Sequence, residues 1–115
     1  MIRMITSPRM ISVLRVAFAQ AGRGRASRLF YENGLKRGLD DLSAYMEGCQ
    51  KLGKLREGEP LMLARFYLAM LRAETMEELL LGISTQQDLP DLDLVIERAV
   101  DAFLRAFGAP DAGRT

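Results

Sequence analysis

The stretch PLMLARFYLAMLRAETMEELLLG, beginning at residue 60, is apolar on nearly every side once wound into a helix, and no other feature constrains the chain as much. Pro60 suits the first helical position, where its missing N–H costs nothing. The pattern predicts a helix over residues 60–81, about 33 Å long at roughly 1.5 Å per residue. Plotted at about 100° per residue, residues 61–71 leave only a narrow polar strip at Arg65 and Arg72. Such a helix must be covered from more than one direction. A chain of 115 residues has few other helices to do so, which makes a partner molecule the economical explanation. The competing arrangement covers it with the first and third helices of the same chain.

Those other helices are marked by their ends. In SPRMISVLRVAFAQAG, Ser7 suits the N-cap, Pro8 the first turn and Gly22 the stop, with Ile11, Leu14, Phe18 and Ala21 forming one stripe. GRGRAS reads as a turn. A short helix is predicted over residues 26–33, ending at Gly34 in the left-handed conformation that helix termini favour, with Phe30 and Tyr31 in its last turn. A third helix over residues 36–52 carries Leu35, Leu39, Leu42, Met46 and Cys49 on one face, and Gly53 ends it. Glu57 or Glu59 suits the start of the helix at Pro60. The turn-rich GISTQQDLPDLD leads to a fifth helix capped by Asp91 or Asp93 and stopped by Gly108. Ile96, Val100, Phe103 and Phe107 lie on one side of it. The smaller Val95, Ala99, Ala102 and Ala106 lie on the other, where close helix approach is permitted. The fold class is therefore all-α, about five helices with no alternating strand.

The totals restrict function. Sixteen Lys and Arg against fifteen Asp and Glu leave a net charge of +1. Residues 1–38 nevertheless hold eight basic residues and only Glu32 as an acid, so the N-terminal third is a positive patch. No recognition-helix pattern accompanies it, and scattered arginines are ordinarily solvated charge. The absence of His removes the usual general base and the commonest metal ligand, so no catalytic residue, metal or cofactor is assigned. Cys49 has no partner for an internal disulfide; on an apolar stripe it reads as an inert core thiol more readily than as a redox sensor. No apolar run approaches the roughly 20 residues of a membrane span, and the N-terminus does not resemble a secretory signal, so a cytoplasmic location is expected.

The succession of these pieces resembles the C-terminal, effector-binding and dimerisation domain of TetR-family transcriptional regulators. LRVAFAQAGRGRASRLFYENG is similar to the family's helix followed by a short, aromatic-ended one. LDDLSAYMEGCQKLGKLREGEPLMLARFYLAMLRA is similar to its next helix, a Gly-containing turn and a long interface helix. IERAVDAFLRAFG is similar to its closing helix. The resemblance covers most of residues 7–108 and implies a single helical domain over residues 1–115. Residues 1–6 would be the remnant of a linker helix and residues 109–115 a flexible tail. It further implies that DNA is read only through a helix-turn-helix absent from this chain, and that the break after Asn33 is a hinge. The plainer reading of that break is a buried aromatic pair closing a helix end.

The resemblance also implies a mostly apolar cavity within the helical body. Phe18, Tyr45, Met46, Cys49, Phe66 and Met70 are its expected lining, taking a small apolar or aromatic effector, with the Tyr45 hydroxyl orienting a polar group. The same residues alternatively fill the core. A homodimer is expected through a four-helix bundle of the last two long helices, with Arg65, Leu68, Arg72, Val95, Ala99 and Ala102 at the interface. The expected function is ligand sensing and dimerisation within a TetR-like regulator. The alternative is a stand-alone helical dimer acting as a protein-protein adaptor or inhibitor.

Overall fold

Ser7 opens the first helix as its position suggests, its Oγ accepting the Met10 N–H at 3.2 Å while Pro8 takes the first turn. In the computed structural model, which describes residue 4, residues 6–23 and residues 25–110, this helix is α1, Pro8–Ala19. It is followed by α2, Ala26–Phe30, and, through a π-helical turn at Tyr31–Leu35, by α3, Lys36–Lys51. Then come α4, Pro60–Arg72, the short α5, Met76–Leu80, a 3-10 turn at Gln86–Asp88, and α6, Leu92–Phe107. Because α2, the π turn and α3 form one uninterrupted path, the described residues make five helical rods. Residues 1–3 and 5 of the expected linker remnant, and residues 111–115 of the expected tail, lie outside the described residues.

Two expected boundaries are corrected. Gly34 is not a left-handed stop: positive φ occurs among the described glycines at Gly22, Gly53, Gly58 and Gly82 only, and Gly34 lies inside the π turn. An extra residue accommodated in a wider turn shifts the register without ending the helix, so Phe30 and Tyr31 sit where α2 passes into the π turn and not at a helix end. The helix expected over residues 60–81 also stops early, at Arg72, and restarts at Met76. No Gly or Pro lies between; Thr75 takes the N-cap of the new helix, with Glu77 and Glu78 in its first turn, where acidic side chains suit the helix dipole.

Other ends follow local chemistry. Gly53, at φ 74°, closes α3 where a side chain would be strained. Asp91 caps α6, its Oδ1 accepting the Asp93 N–H at 2.9 Å. Glu59 occupies the N-cap of α4 but makes no side-chain capping bond. The loop between α3 and α4 is pinned: the Gln50 side chain donates to the carbonyls of Arg56 and Gly58, at 3.0 and 2.9 Å. An isolated antiparallel bridge joins Leu55 to Gly108, and the Arg56 Nε donates to the Gly108 carbonyl at 3.0 Å. The loop is thereby tied to the end of α6.

The apolar side chains gather in three places. Leu39, Met46, Leu55, Leu63, Ala64 and Phe103 unite α3, α4 and α6. Leu71, Val95 and Ala99 continue the contact between α4 and α6. Ile11, Leu14, Met76 and Leu79 join α1 to α5, with Phe30 and Leu89 against them. The molecule is thin, with extents of 45 × 32 × 16 Å. Two stacked helices at the usual spacing occupy about 14 Å between outer Cα atoms, so few helices have neighbours on all sides.

Candidate functional site

Along α3 and α4 the sequence places its polarizable side chains at helical spacing, and the fold turns part of that set inward. Met46 is buried, while Cys49 and Met70 are half-buried against the same cluster. Phe66 lies at its rim, 46% exposed, its ring stacked on Phe107 with centroids 5.5 Å apart. Phe107 in turn meets Phe103 at 5.2 Å, and Phe103 meets Tyr67 edge-on at 5.3 Å. These aromatic contacts hold α4 against α6 beyond what area burial alone supplies. Burial pushes the Tyr67 hydroxyl above its ordinary pKa, and neighbouring Tyr45 adds to the effect. The phenol therefore stays neutral and able to donate throughout the physiological range.

Of the six residues expected to line an effector cavity, the structure brings together Met46, Cys49 and Met70, with Phe66 beside them. Phe18 and Tyr45 stand apart from that group, 61% and 67% exposed. On α1 the helical stripe buries Ile11 and Leu14, but Phe18 and Ala21, near its end, face outward. Of the residues expected at a dimer contact, Arg65 and Ala102 are exposed, and Leu68 and Arg72 are half-buried. Val95 has no exposed surface and Ala99 only 5%, because both pack on Leu71 of α4 in the same chain. Small residues do permit a close helix approach here, but within the molecule.

Sequence reasoning missed the concave surface along α1 and α2. A groove of about 320 Å³ is lined by Ser12, Val13, Val16, Ala17 and Phe30. A second, more polar hollow of about 680 Å³ follows the π turn, lined by Ser27, Arg28, Tyr31, Glu32 and Lys36. The Ser27 hydroxyl donates to the Ala17 carbonyl at 2.8 Å, which sets the end of α1 against the start of α2. The signal was available in the sequence: Val13, Val16 and Ala17 form a second apolar arc on α1 opposite Ile11 and Leu14. Among the described residues, no cluster of three or more Cys, Asp or Glu side chains is arranged to hold a metal ion, and no helix is long and apolar enough to cross a membrane.

Five helical rods in this order make an all-α domain with an open apolar groove along α1 and α2, and with Met62 and Phe66 of α4 left exposed. Residues 1–109 match the family model described as "AefR-like transcriptional repressor, C-terminal domain". The chain belongs to this TetR C-terminal family. Solved structures agree in fold. A TetR-family transcriptional regulator from Mesorhizobium loti MAFF303099 superposes with a TM-score of 0.83 at 24% identity, over 94% of this chain and 54% of that one. The flavonoid-responsive regulator FrrA gives a TM-score of 0.73 at 26% identity, over 87% and 51%. A TetR-family regulator from Pseudomonas syringae pv. tomato str. DC3000 gives 0.71 at 19% identity, over 95% and 57%. The chain thus spans about half the length of each of these proteins. A comparison with curated protein sequences returns no match.

Proposed function

We propose that this chain is the effector-sensing and dimerising half of a TetR-type transcriptional regulator, whose DNA contact is made through a helix-turn-helix outside these residues. The observation that carries this reading is the match of residues 1–109 to the C-terminal domain of such repressors. The effector is small, apolar and aromatic. Two features support that class: Met46, Cys49 and Met70 are adaptable, polarizable side chains gathered at one cluster, and a relative of 26% identity is described as flavonoid-responsive. Phe66, at the rim of the same cluster, supplies further aromatic surface. Such a ligand acts by binding one helix arrangement better than another, and its differential affinity sets the size of the response. A stand-alone adaptor has no comparable support.

The test is a thermal-shift titration of the chain with a flavone and a panel of comparably sized apolar aromatics. Binding to the folded state at about 100 times Kd adds roughly 2.7 kcal/mol to stability, a readily measured rise in Tm. Met70→Ala should weaken the response without abolishing folding. A flat Tm across the whole panel would remove the effector reading and leave a solid core.

A further inference from the structure

The turn at Ala73, Glu74 and Thr75 interrupts an apolar run that holds no Gly or Pro, at a point where Thr75 and Glu78 have the T-x-x-E spacing of a helix start. There the backbone tightens: the Ala73 N–H donates to the Met70 carbonyl at 3.3 Å, and the Thr75 N–H to the Arg72 carbonyl at 3.2 Å. Both bonds reach back three residues where a continuing α-helix reaches back four. Thr75 itself sits at φ −134°, ψ −42°, outside the helical well.

Contacts from two other helices hold this shape. From α6, the Arg98 guanidinium grips the Glu74 carboxylate with both arms, at 2.9 and 2.6 Å. From α1, Arg15 donates to the carbonyls of Leu79 and Leu80 at the end of α5, at 2.6 and 3.1 Å. The bend also leaves something unsatisfied. Thr75 has no exposed surface, and its Oγ1 has no hydrogen-bond partner. Leaving a buried hydroxyl unpaired is unfavourable, whereas a threonine inside a helix donates to the carbonyl four residues earlier, here that of Leu71.

We infer that the α4–α5 joint is a two-state element. In the bent state Arg98 holds Glu74 and the Thr75 hydroxyl is orphaned; in the straight state α4 runs on into α5 and that hydroxyl bonds the Leu71 carbonyl. Each state lacks an interaction the other has, so a single substitution on either side biases the choice between them. The consequence is mechanical. Met76 and Leu79 of α5 pack on Ile11 and Leu14 of α1, while Leu71 packs on Val95 and Ala99 of α6. Straightening the joint therefore moves the α1–α5 pair as a body relative to α4 and α6. This device belongs to the chain with no ligand bound, and it stands whether or not the effector reading does.

Electron-electron resonance distances between spin labels test it, with Arg9→Cys on α1 and Glu97→Cys on α6 in a Cys49→Ser background. Labelled protein is diluted into unlabelled chain so that only distances within one chain are read. The wild-type joint should give two distance populations. Arg98→Gln should shift weight toward the one that is minor, or less populated, in its presence, and Thr75→Val should shift it the opposite way. Thr75→Val should also raise Tm by about 4 °C, the scale expected when an unpaired hydroxyl is removed from a domain of this size. Thr75→Ser, which keeps the hydroxyl, should retain both populations. A single distance unchanged across all variants overturns the proposal, and so does a fall in Tm for Thr75→Val, which would mean that the hydroxyl is already satisfied in the bent form.

Discussion

Gly108 illustrates how tightly single residues are placed. A Cβ built there lies 2.5 Å from the Leu104 carbonyl oxygen, a backbone atom that cannot swing aside. The same residue bridges to Leu55 and accepts from Arg56, so its backbone has little room to retreat. Gly108→Ala should destabilise the domain by about 1–3 kcal/mol, the range for overpacking; thermal unfolding of the variant checks this, and an unchanged Tm would show that the loop yields. The core responds in the opposite sense. Leu63 and Leu79 are each 1% exposed, in separate clusters. Truncating either to Ala should cost about 2–5 kcal/mol. The two losses should add in the double variant, because residues without shared partners rarely couple; calorimetry or urea titration of the singles and the double reads the difference. Capping residues such as Ser7, Pro8, Gly53 and Asp91 were legible in the sequence because a cap acts on backbone groups within three or four positions. The exposures of Phe18 and Tyr45 were not, since spacing tells which residues share a face but not whether another helix covers it.

The same distinction holds for whole elements. Helices α1, α3 and α6 were legible as helices because their periodicity and their ends agree. The π turn was not, because Gly34 reads as a helix stop on local grounds, and the break before α5 was hidden by an apolar run that continues through it, although Thr75 and Glu78 have the spacing of a helix start. At the break, the pairing with Arg98 holds the Glu74 carboxyl below its ordinary value of 4.5. A carboxyl whose pKa is lowered by folding contributes stability above its ordinary value, and that contribution fades as pH falls through the lower, folded value. The wild-type chain should therefore lose stability below about pH 4.5 by a component that Glu74→Gln lacks. The effect is small, because both side chains are largely open to solvent and salt screens them. Melting curves between neutral pH and pH 3, at low and high salt, separate it from general acid unfolding. Superimposable pH profiles for the two proteins would show that the pair contributes nothing to stability.

At the scale of the molecule, shape decides. A compact chain of this length has a radius of gyration near 13 to 14 Å, against 15.8 Å here. The excess reflects a body only 16 Å thick, in which α4 is covered by α3 on one side and α6 on another while Met62 and Phe66 remain 40% and 46% exposed. Leu94 and Leu104 on α6 are exposed to a similar degree. Apolar surface in such quantity on two neighbouring helices favours association, and a second copy of the chain offers the same two helices in return. An interface of about 1,600 Å² is of the size a stable dimer requires. Val95 and Ala99, occupied within the chain, contribute little to it directly; Arg65, Leu68, Arg72 and Ala102 retain surface to present. Light scattering at micromolar concentration should return twice 12.9 kDa. Ala102→Arg would place a long charged side chain in the helix contact proposed for the dimer, and its exposed position leaves the fold of the single chain undisturbed. That variant should run as a monomer with an unaltered helical circular dichroism spectrum. A monomeric wild type would mean that the apolar flanks of α4 and α6 tolerate solvent, and the case for association built on them would fail.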